Sequence, residues 1–272
     1  MFLKLSKNKI VKKESKMKKV ILAIMLMMGL LACGKKENAA TENKNAAGEE
    51  KVLRVGLNAV FAPFEYVENG EIKGFDIDLI NEIGKNLGYK IEIIDQSFDG
   101  LIPALKAGKI DLIISGMSAT EERKKSVDFT DEYFMSTQEK KKKKGNTQIN
   151  TVEDLNGKRI GVQLGTIQEN EAKTIKGAIV VPNESTVNII LDLNAGKVDS
   201  IILENIVALE YMKKNPELEI FLERKLDAGM AIAFDKGKHT DLVQKFNEEL
   251  KKMKESGKYE ELLNKYGLNT KK

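Results

Sequence analysis

An internal echo constrains this chain more than any other feature. Leu105–Ile114 reads LKAGKIDLII and Leu193–Ile202 reads LNAGKVDSII, 88 residues apart. Arg54-Val55-Gly56-Leu57 is answered in the same way by Arg159-Ile160-Gly161-Val162. Glycine ends helices often enough to account for Gly108 and Gly196, but not for a ten-residue match. A chain that repeats the junction from helix into strand builds one α/β unit twice. Short β-branched runs alternate with stretches of helical period around these echoes. Val52–Leu57, Lys90–Ile94 and Ile110–Ser115 read as strands, and Asp76–Leu87 and Asp99–Ala107 as helices with Asp76 and Asp99 as N-caps. The rhythm predicts crossover connections, parallel-type sheets and two α/β lobes, which 272 residues can supply. Thr240–Leu263 adds an amphipathic helical pattern with a break at Gly257.

The first 50 residues have a different character. Lys16, Lys18 and Lys19 precede an apolar run, Val20–Leu31, followed by Ala32-Cys33-Gly34, which is the layout of an export signal. Twelve apolar residues cannot span a hydrocarbon core, which needs about 20. Leu30-Leu31-Ala32-Cys33 resembles the bacterial lipobox, so Cys33 is expected to be lipidated and to become the mature N-terminus. Met17 offers an alternative start, because residues 17–33 alone have the proportions of such a signal. Residues 1–32 are therefore expected to be a signal peptide. Residues 33–50, poor in aromatic and branched aliphatic side chains, are expected to be a disordered tether. The leader also carries the chain's basic excess: beyond residue 32 there are 37 basic and 40 acidic residues, so the overall charge of +4 gives no sign of a nucleic-acid partner. One cysteine and one histidine, His239, leave disulfide scaffolds, cysteine zinc cages, histidine-rich metal sites and serine–histidine relays short of parts. Neither a metal nor a cofactor is expected.

In open α/β sheets ligands sit beyond the carboxyl ends of the strands. Those ends are Asn58–Phe61, Ser97–Asp99, the run Ser115, Gly116, Met117 and Ser118, then Leu164–Thr166 and Glu204-Asn205. One set from each lobe would face the other across a cleft. Arg123 draws notice because the chain has only four arginines, and a planar fork grips a carboxylate as an ammonium cannot. The alternative for Arg123 is a solvated charge at a helix start. Glu204 closes an otherwise apolar strand; it is either a rim residue or helix cap, or the acceptor of a ligand ammonium group. Phenylalanine usually fills cores, but Phe61 and Phe98 follow strand ends, where two rings could enclose a ligand side chain.

These residues lie in strings that resemble the polar amino-acid-binding proteins of ABC importers. APFE, GFDIDL, GLIPAL and ERKKSVDF occur in the order and spacing of that family, and the likeness runs from Val52 to about Tyr266. The resemblance implies the two-lobed periplasmic binding-protein fold, with two parallel-type α/β lobes joined by a two-strand hinge and the ligand cleft between them. Lobe 1 would hold residues 51–135 and 230–272, and lobe 2 residues 136–229. It implies that Arg123 binds the α-carboxylate, helped by amides near Ser118 and Thr166-Ile167. The Gly116 carbonyl, the Ser118 hydroxyl and Glu204 would take the α-ammonium. Phe61 and Phe98 would sandwich the side chain, and Asn58 and Gln163 would shape its polar end beside Ser115. A micromolar dissociation constant, about −8 kcal/mol, is the expected scale.

The implied partners are an amino acid, a membrane permease and its ATPase, with the membrane reached through the lipid anchor and the protein a monomer. Hinge motion near Tyr133–Thr137 and Leu226–Met230 would close the lobes on the ligand. A dehydratase of the prephenate or arogenate type on the same scaffold is the rival reading, as is a surface receptor or adhesin. Three departures stand out. Asn58 and Glu204 occupy positions where relatives carry aspartate, and Asn58 favours a neutral polar ligand side chain. Lys140–Lys144 puts five lysines where the family has an apolar strand, so that strand is expected either displaced to the surface or destabilising to lobe 2.

Overall fold

The computed structural model describes residues 51–213 and 216–269. The expected signal peptide, the lipidation site Cys33 and the tether lie outside the described residues. The described chain forms two five-stranded sheets and a small hairpin sheet.

The first sheet opens with β1 (Lys51–Leu57), and the hairpin sheet is β2 (Val60–Phe61), β3 (Glu65–Glu68) and β4 (Glu71–Lys73). Helix α1 (Phe75–Leu87) follows because Phe75, Leu79, Ile80 and Ile83 make a buried stripe at helical spacing. It begins one residue before Asp76, so that carboxylate is no N-cap; it is buried and serves the cleft. After β5 (Tyr89–Asp95), a single 3₁₀ turn at Phe98–Gly100 leads into α2 (Leu101–Lys106), so Asp99 does not cap a long helix either. β6 shortens to Leu112–Ile113, then come α3 (Glu121–Lys124) and β7 (Val127–Phe129).

The chain then crosses to the second sheet: β8 (Thr137–Lys143), β9 (Arg159–Gln163), α4 (Ile167–Thr174), β10 (Ile179–Asn183), α5 (Thr186–Asn194), β11 (Ser200–Glu204), α6 (Asn205–Met212) and β12 (Leu218–Lys225). It returns through β13 (Ala233–Asp235) to α7 (Thr240–Glu255) and α8 (Lys258–Lys265), with Gly257 between the two helices.

The two sheets share one topology. Their orders are β5-β1-β6-β13-β7 and β10-β9-β11-β8-β12. In each, three strands run parallel and the fourth is antiparallel to both neighbours. That fourth strand, β13 or β8, is the first one laid down after the chain crosses from the other lobe. The sequence echo has a physical basis at the same points. Arg54 on β1 forks the Asp111 carboxylate through Nε (3.0 Å) and Nη2 (2.6 Å), and Arg159 on β9 forks Asp199 through the same atoms at 3.1 and 2.8 Å. Each aspartate also accepts the arginine's own backbone N–H at 2.8 Å. The crossings are tied together where Tyr133 N donates to Met230 O (2.8 Å) and Met230 N to Phe134 O (2.7 Å).

The lysine run is neither displaced nor exposed. β8 sits between β11 and β12, in continuous register with β11, where Lys140 lies opposite Ile202 and Lys141 opposite Ile201, and with a shift of register against β12 between Ile220 and Leu222. Lys140, Lys141 and Lys142 are buried, and each ammonium is partnered. Lys140 pairs with Glu171 and Lys141 with Glu139 (2.5 Å). Lys142 donates to Asn146 O (2.7 Å), Ile149 O (2.6 Å) and Asn150 Oδ1 (2.9 Å), matching the three donors of an ammonium. Burying a charge is tolerable only under such pairing. Lys143 and Lys144 are exposed.

Candidate functional site

The carboxyl ends of β1, β6, β9 and β11 converge where the lobes meet. Asn58, one residue past β1, donates from its backbone to Ser115 Oγ (3.0 Å) and from Nδ2 to Gln96 O (2.8 Å). Its Oδ1 accepts from Gln163 Nε2 of the other lobe at 2.8 Å. Arg123 makes a second bridge: Nη1 donates to Ser118 O (2.9 Å) and Nη2 reaches Gly165 O in the opposite lobe (3.2 Å). The guanidinium carbon lies 5.3 Å from the centre of the Phe98 ring, within cation–π range. A third bridge runs from Tyr211 Oη to Val60 O (3.1 Å). The lobes are therefore closed on one another.

Between them a cavity of about 10 Å³ remains, lined by Asn58, Phe61, Glu65, Phe98, Ser115 and Gln163. That is roughly room for one water molecule, so an amino acid enters only when the lobes part. Two glycines allow the close fit. Gly116, at φ +52°, lets the Phe61 ring lie where a Cβ would be 2.6 Å from it. Gly165, at φ +77°, sits so near the other lobe that a Cβ would come within 2.8 Å of the Asp99 Cα.

The electrostatics of the cleft are dominated by buried acids. Burial pushes the Glu204 carboxyl up to about 8, against hydrogen bonds from Ser136 and Gln168 and the charge of Arg123. The same surroundings pull Arg123 down to about 10, chiefly by burial. Arg123 and Glu204, from opposite lobes, thus act on each other. Beneath the cavity Glu65 is fully buried and raised well above the usual carboxylate range, first by burial and then by the charge of Asp76. Its Oε1 accepts from Ser115 Oγ (2.7 Å), and its protonated carboxyl shares a hydrogen bond with Asp76, which raises Glu65 and lowers Asp76. Asp76 holds the loop above it, accepting from Gly116 N (2.9 Å) and Tyr133 Oη (2.8 Å).

Of the residues expected from sequence, Asn58, Phe61, Phe98, Ser115 and Gln163 line this cavity, and Gly116, Ser118, Arg123 and Glu204 lie around it. Thr166 caps α4, accepting from Glu169 N (3.3 Å) and donating to Gln163 O (2.6 Å). Ile167 falls elsewhere. It lines a larger crevice of about 450 Å³ with Thr120, Gln138, Glu171 and Arg224. There Lys124 pairs with Glu121 and Arg224 with Asp227 at the surface, whereas the small cavity lies between the strand ends of both lobes beside buried acids, so it is the better candidate site. Glu65 and Asp76 are new to it. No local signal singles out Glu65, whose place is set by its contact with Ser115, 50 residues away. Among the described residues, no group of three or more His, Cys, Asp or Glu is placed to hold a metal ion.

The profile of the bacterial extracellular solute-binding proteins, family 3, matches residues 53–269. The chain belongs to that family. It is 43% identical over 258 residues to a protein of Campylobacter jejuni named "Probable histidine-binding protein", covering 93% of this chain and 100% of that one. Among solved structures, an ancestral arginine-binding protein bound to arginine superposes with a TM-score of 0.76 at 43% identity, over 79% of this chain and 97% of the other. An ancestral amino-acid-binding protein described as a precursor of cyclohexadienyl dehydratase gives 0.72 at 36% identity, over 79% and 94%. Family membership carries the two-lobed architecture and a place outside the cytoplasm.

Proposed function

We propose that this protein is the substrate-binding component of an ABC importer, anchored by lipid at Cys33, and that it captures an L-amino acid with a cationic side chain by closing its lobes. The observation that carries this reading is the closed cleft itself. It has a guanidinium from one lobe, a carboxyl from the other, and the buried Glu65–Asp76 acid pair beside two rings. In this reading the ligand α-carboxylate exchanges with the Ser118 and Gly165 carbonyls as the partner of Arg123, alongside the amides of Thr166 and Ile167. Glu204, the Ser118 hydroxyl and the Gly116 carbonyl take the α-ammonium, and Phe61 and Phe98 flank the side chain.

Asn58 alone favours a neutral ligand, but Glu65 reverses that preference. A guanidinium or imidazolium lying between the rings would meet Glu65 at the cavity floor, where the buried Glu65–Asp76 pair can balance its charge by giving up the proton the two carboxyls share. The names of the histidine- and arginine-binding relatives agree with a cationic side chain. Hydrogen bonds to ionised groups contribute about 1.5–3 kcal/mol each, so four or five outweigh the ordering they require.

The test is titration calorimetry of L-arginine, L-histidine and L-glutamine against the wild-type protein and Arg123→Met. Micromolar binding of a cationic amino acid is expected, lost in the variant with an unchanged circular dichroism spectrum. Retained binding would remove Arg123 from the site. Glu204, protonated near neutrality, also has the form of a general acid, which keeps the dehydratase reading open to test. An assay for phenylpyruvate formation, expected to show none, separates the two.

A further inference from the structure

Helix α4 starts beside the cleft, capped by Thr166 and with the Ile167 side chain turned to the neighbouring crevice, yet it has almost no apolar face with which to hold its place. Its buried residues are Gln168, Glu169 and Ala172, only one of them apolar. Helices in proteins owe most of their stability to a packed apolar stripe, so polar contacts must do that work here. Glu169 closes the helix start by accepting from Gly165 N (2.7 Å), and Gln168 shares a hydrogen bond with Glu204. The remaining tie to the sheet is Glu171. Its Oε1 pairs with Lys140 of β8, and its Oε2 lies 3.9 Å from Arg224 Nη1 at the end of β12. Lys140 is 3% exposed and Glu171 14%, so the pair is largely withdrawn from solvent. Gln138, Lys140 and Lys142 share one face of β8, and Glu171 of α4 reaches that face at Lys140.

We propose that Lys140 is a positioning residue for the ligand site: through Glu171 it draws α4 against β8 and so sets where Thr166, Ile167 and Gln168 meet the ligand. An apolar residue at this position would fill the space without addressing Glu171. The lysine run thereby acquires a function that reaches the cleft through one helix. This inference rests on the proposed ligand site.

The experiment measures L-arginine affinity by titration calorimetry for Lys140→Met, Lys140→Arg, Glu171→Gln and the double variant, with Arg123→Met as a control. Lys140→Met and Glu171→Gln should each weaken binding about tenfold or more. The double variant should be no weaker than the poorer single one, and Lys140→Arg should restore affinity to within about threefold. Wild-type affinity in a folded Lys140→Met, or a lowered melting temperature with unchanged affinity, would overturn the proposal. Should Lys140→Met fail to fold, Glu171→Gln decides alone, because it sits on the helix rather than in the sheet. Binding that survives in Arg123→Met would instead sink the site reading, whatever Lys140 does.

Discussion

At the scale of single residues, the cleft works by keeping charges half-made until a ligand completes them. Glu204 illustrates this. In the closed, ligand-free protein its carboxyl titrates near 8 rather than at the ordinary 4.5, because burial disfavours the anion more than Arg123 favours it. An α-ammonium beside it would favour the anion, so binding below pH 8 expels a proton. For a ligand with a neutral side chain affinity should therefore rise about tenfold per pH unit on the acid side of 8 and level off above it, and a cationic side chain that displaces the Glu65 proton should steepen the rise. Calorimetry at pH 6.5 in buffers of different ionisation enthalpy should read close to one proton released per site from Glu204, and no release at all would contradict the assignment. The same shift makes the ligand-free fold lose stability as pH rises from about 4.5 to 8, since the unfolded chain gives up that proton first. Arg123 was legible from its place after the strand-end serines, but rarity alone would have misled. Arg54 and Arg159 are equally rare and fork structural aspartates. Glu65 was not legible, because nothing local distinguishes a carboxylate aimed under a ring from one on a hairpin surface.

At the scale of elements, the echoes of sequence became paired strands and paired ion clamps, while the expected N-caps failed. Asp76 and Asp99 fit the statistics of helix starts. However, Asp76 is recruited by Gly116 and Tyr133, contacts made by residues 40 and 57 positions away. β8 is the sharper case. Five lysines break the alternation of an apolar strand, and the burial is made possible by Glu139 on the same strand, the Asn146–Asn150 turn that follows it, and the distant Glu171 and Glu219. Such pairs are costly to desolvate. Replacing Glu139 and Lys141 together by valine should leave stability unchanged or raise it by about 1–4 kcal/mol in urea denaturation, whereas Lys141→Val alone, which leaves Glu139 uncompensated, should lower it by about 3–5 kcal/mol. Burial already pulls the Lys141 ammonium below its ordinary value, the sign of an environment that would accept an apolar side chain. The loop before α4 yields a different expectation. Gly165→Ala meets Asp99 only when the lobes are shut, so it should weaken ligand binding by tenfold or more beyond the modest cost of a left-handed alanine. Small-angle scattering would then show the variant staying extended at ligand concentrations that compact the wild type.

At the scale of the whole molecule, function follows from having two similar sheets rather than one. Each lobe brings half of the proposed site at its strand ends, and in the closed protein polar groups of one half meet partners from the other. In the closed protein Gln163 turns to Asn58, and Arg123 to Gly165. A ligand that replaces such contacts with stronger ones shifts the balance towards closure by its differential affinity for the two arrangements. The central claim is that opposite lobes grip opposite poles of one dipolar molecule. It is tested most directly by calorimetry with L-arginine, its decarboxylated form and its deaminated form, which keep the same side chain and lose one pole each. Both truncated molecules should bind at least about a hundredfold more weakly than L-arginine, because one leaves Arg123 without an anion and the other leaves Glu204 without the cation that ionises it. Affinity within a few-fold of L-arginine for either one would contradict the account.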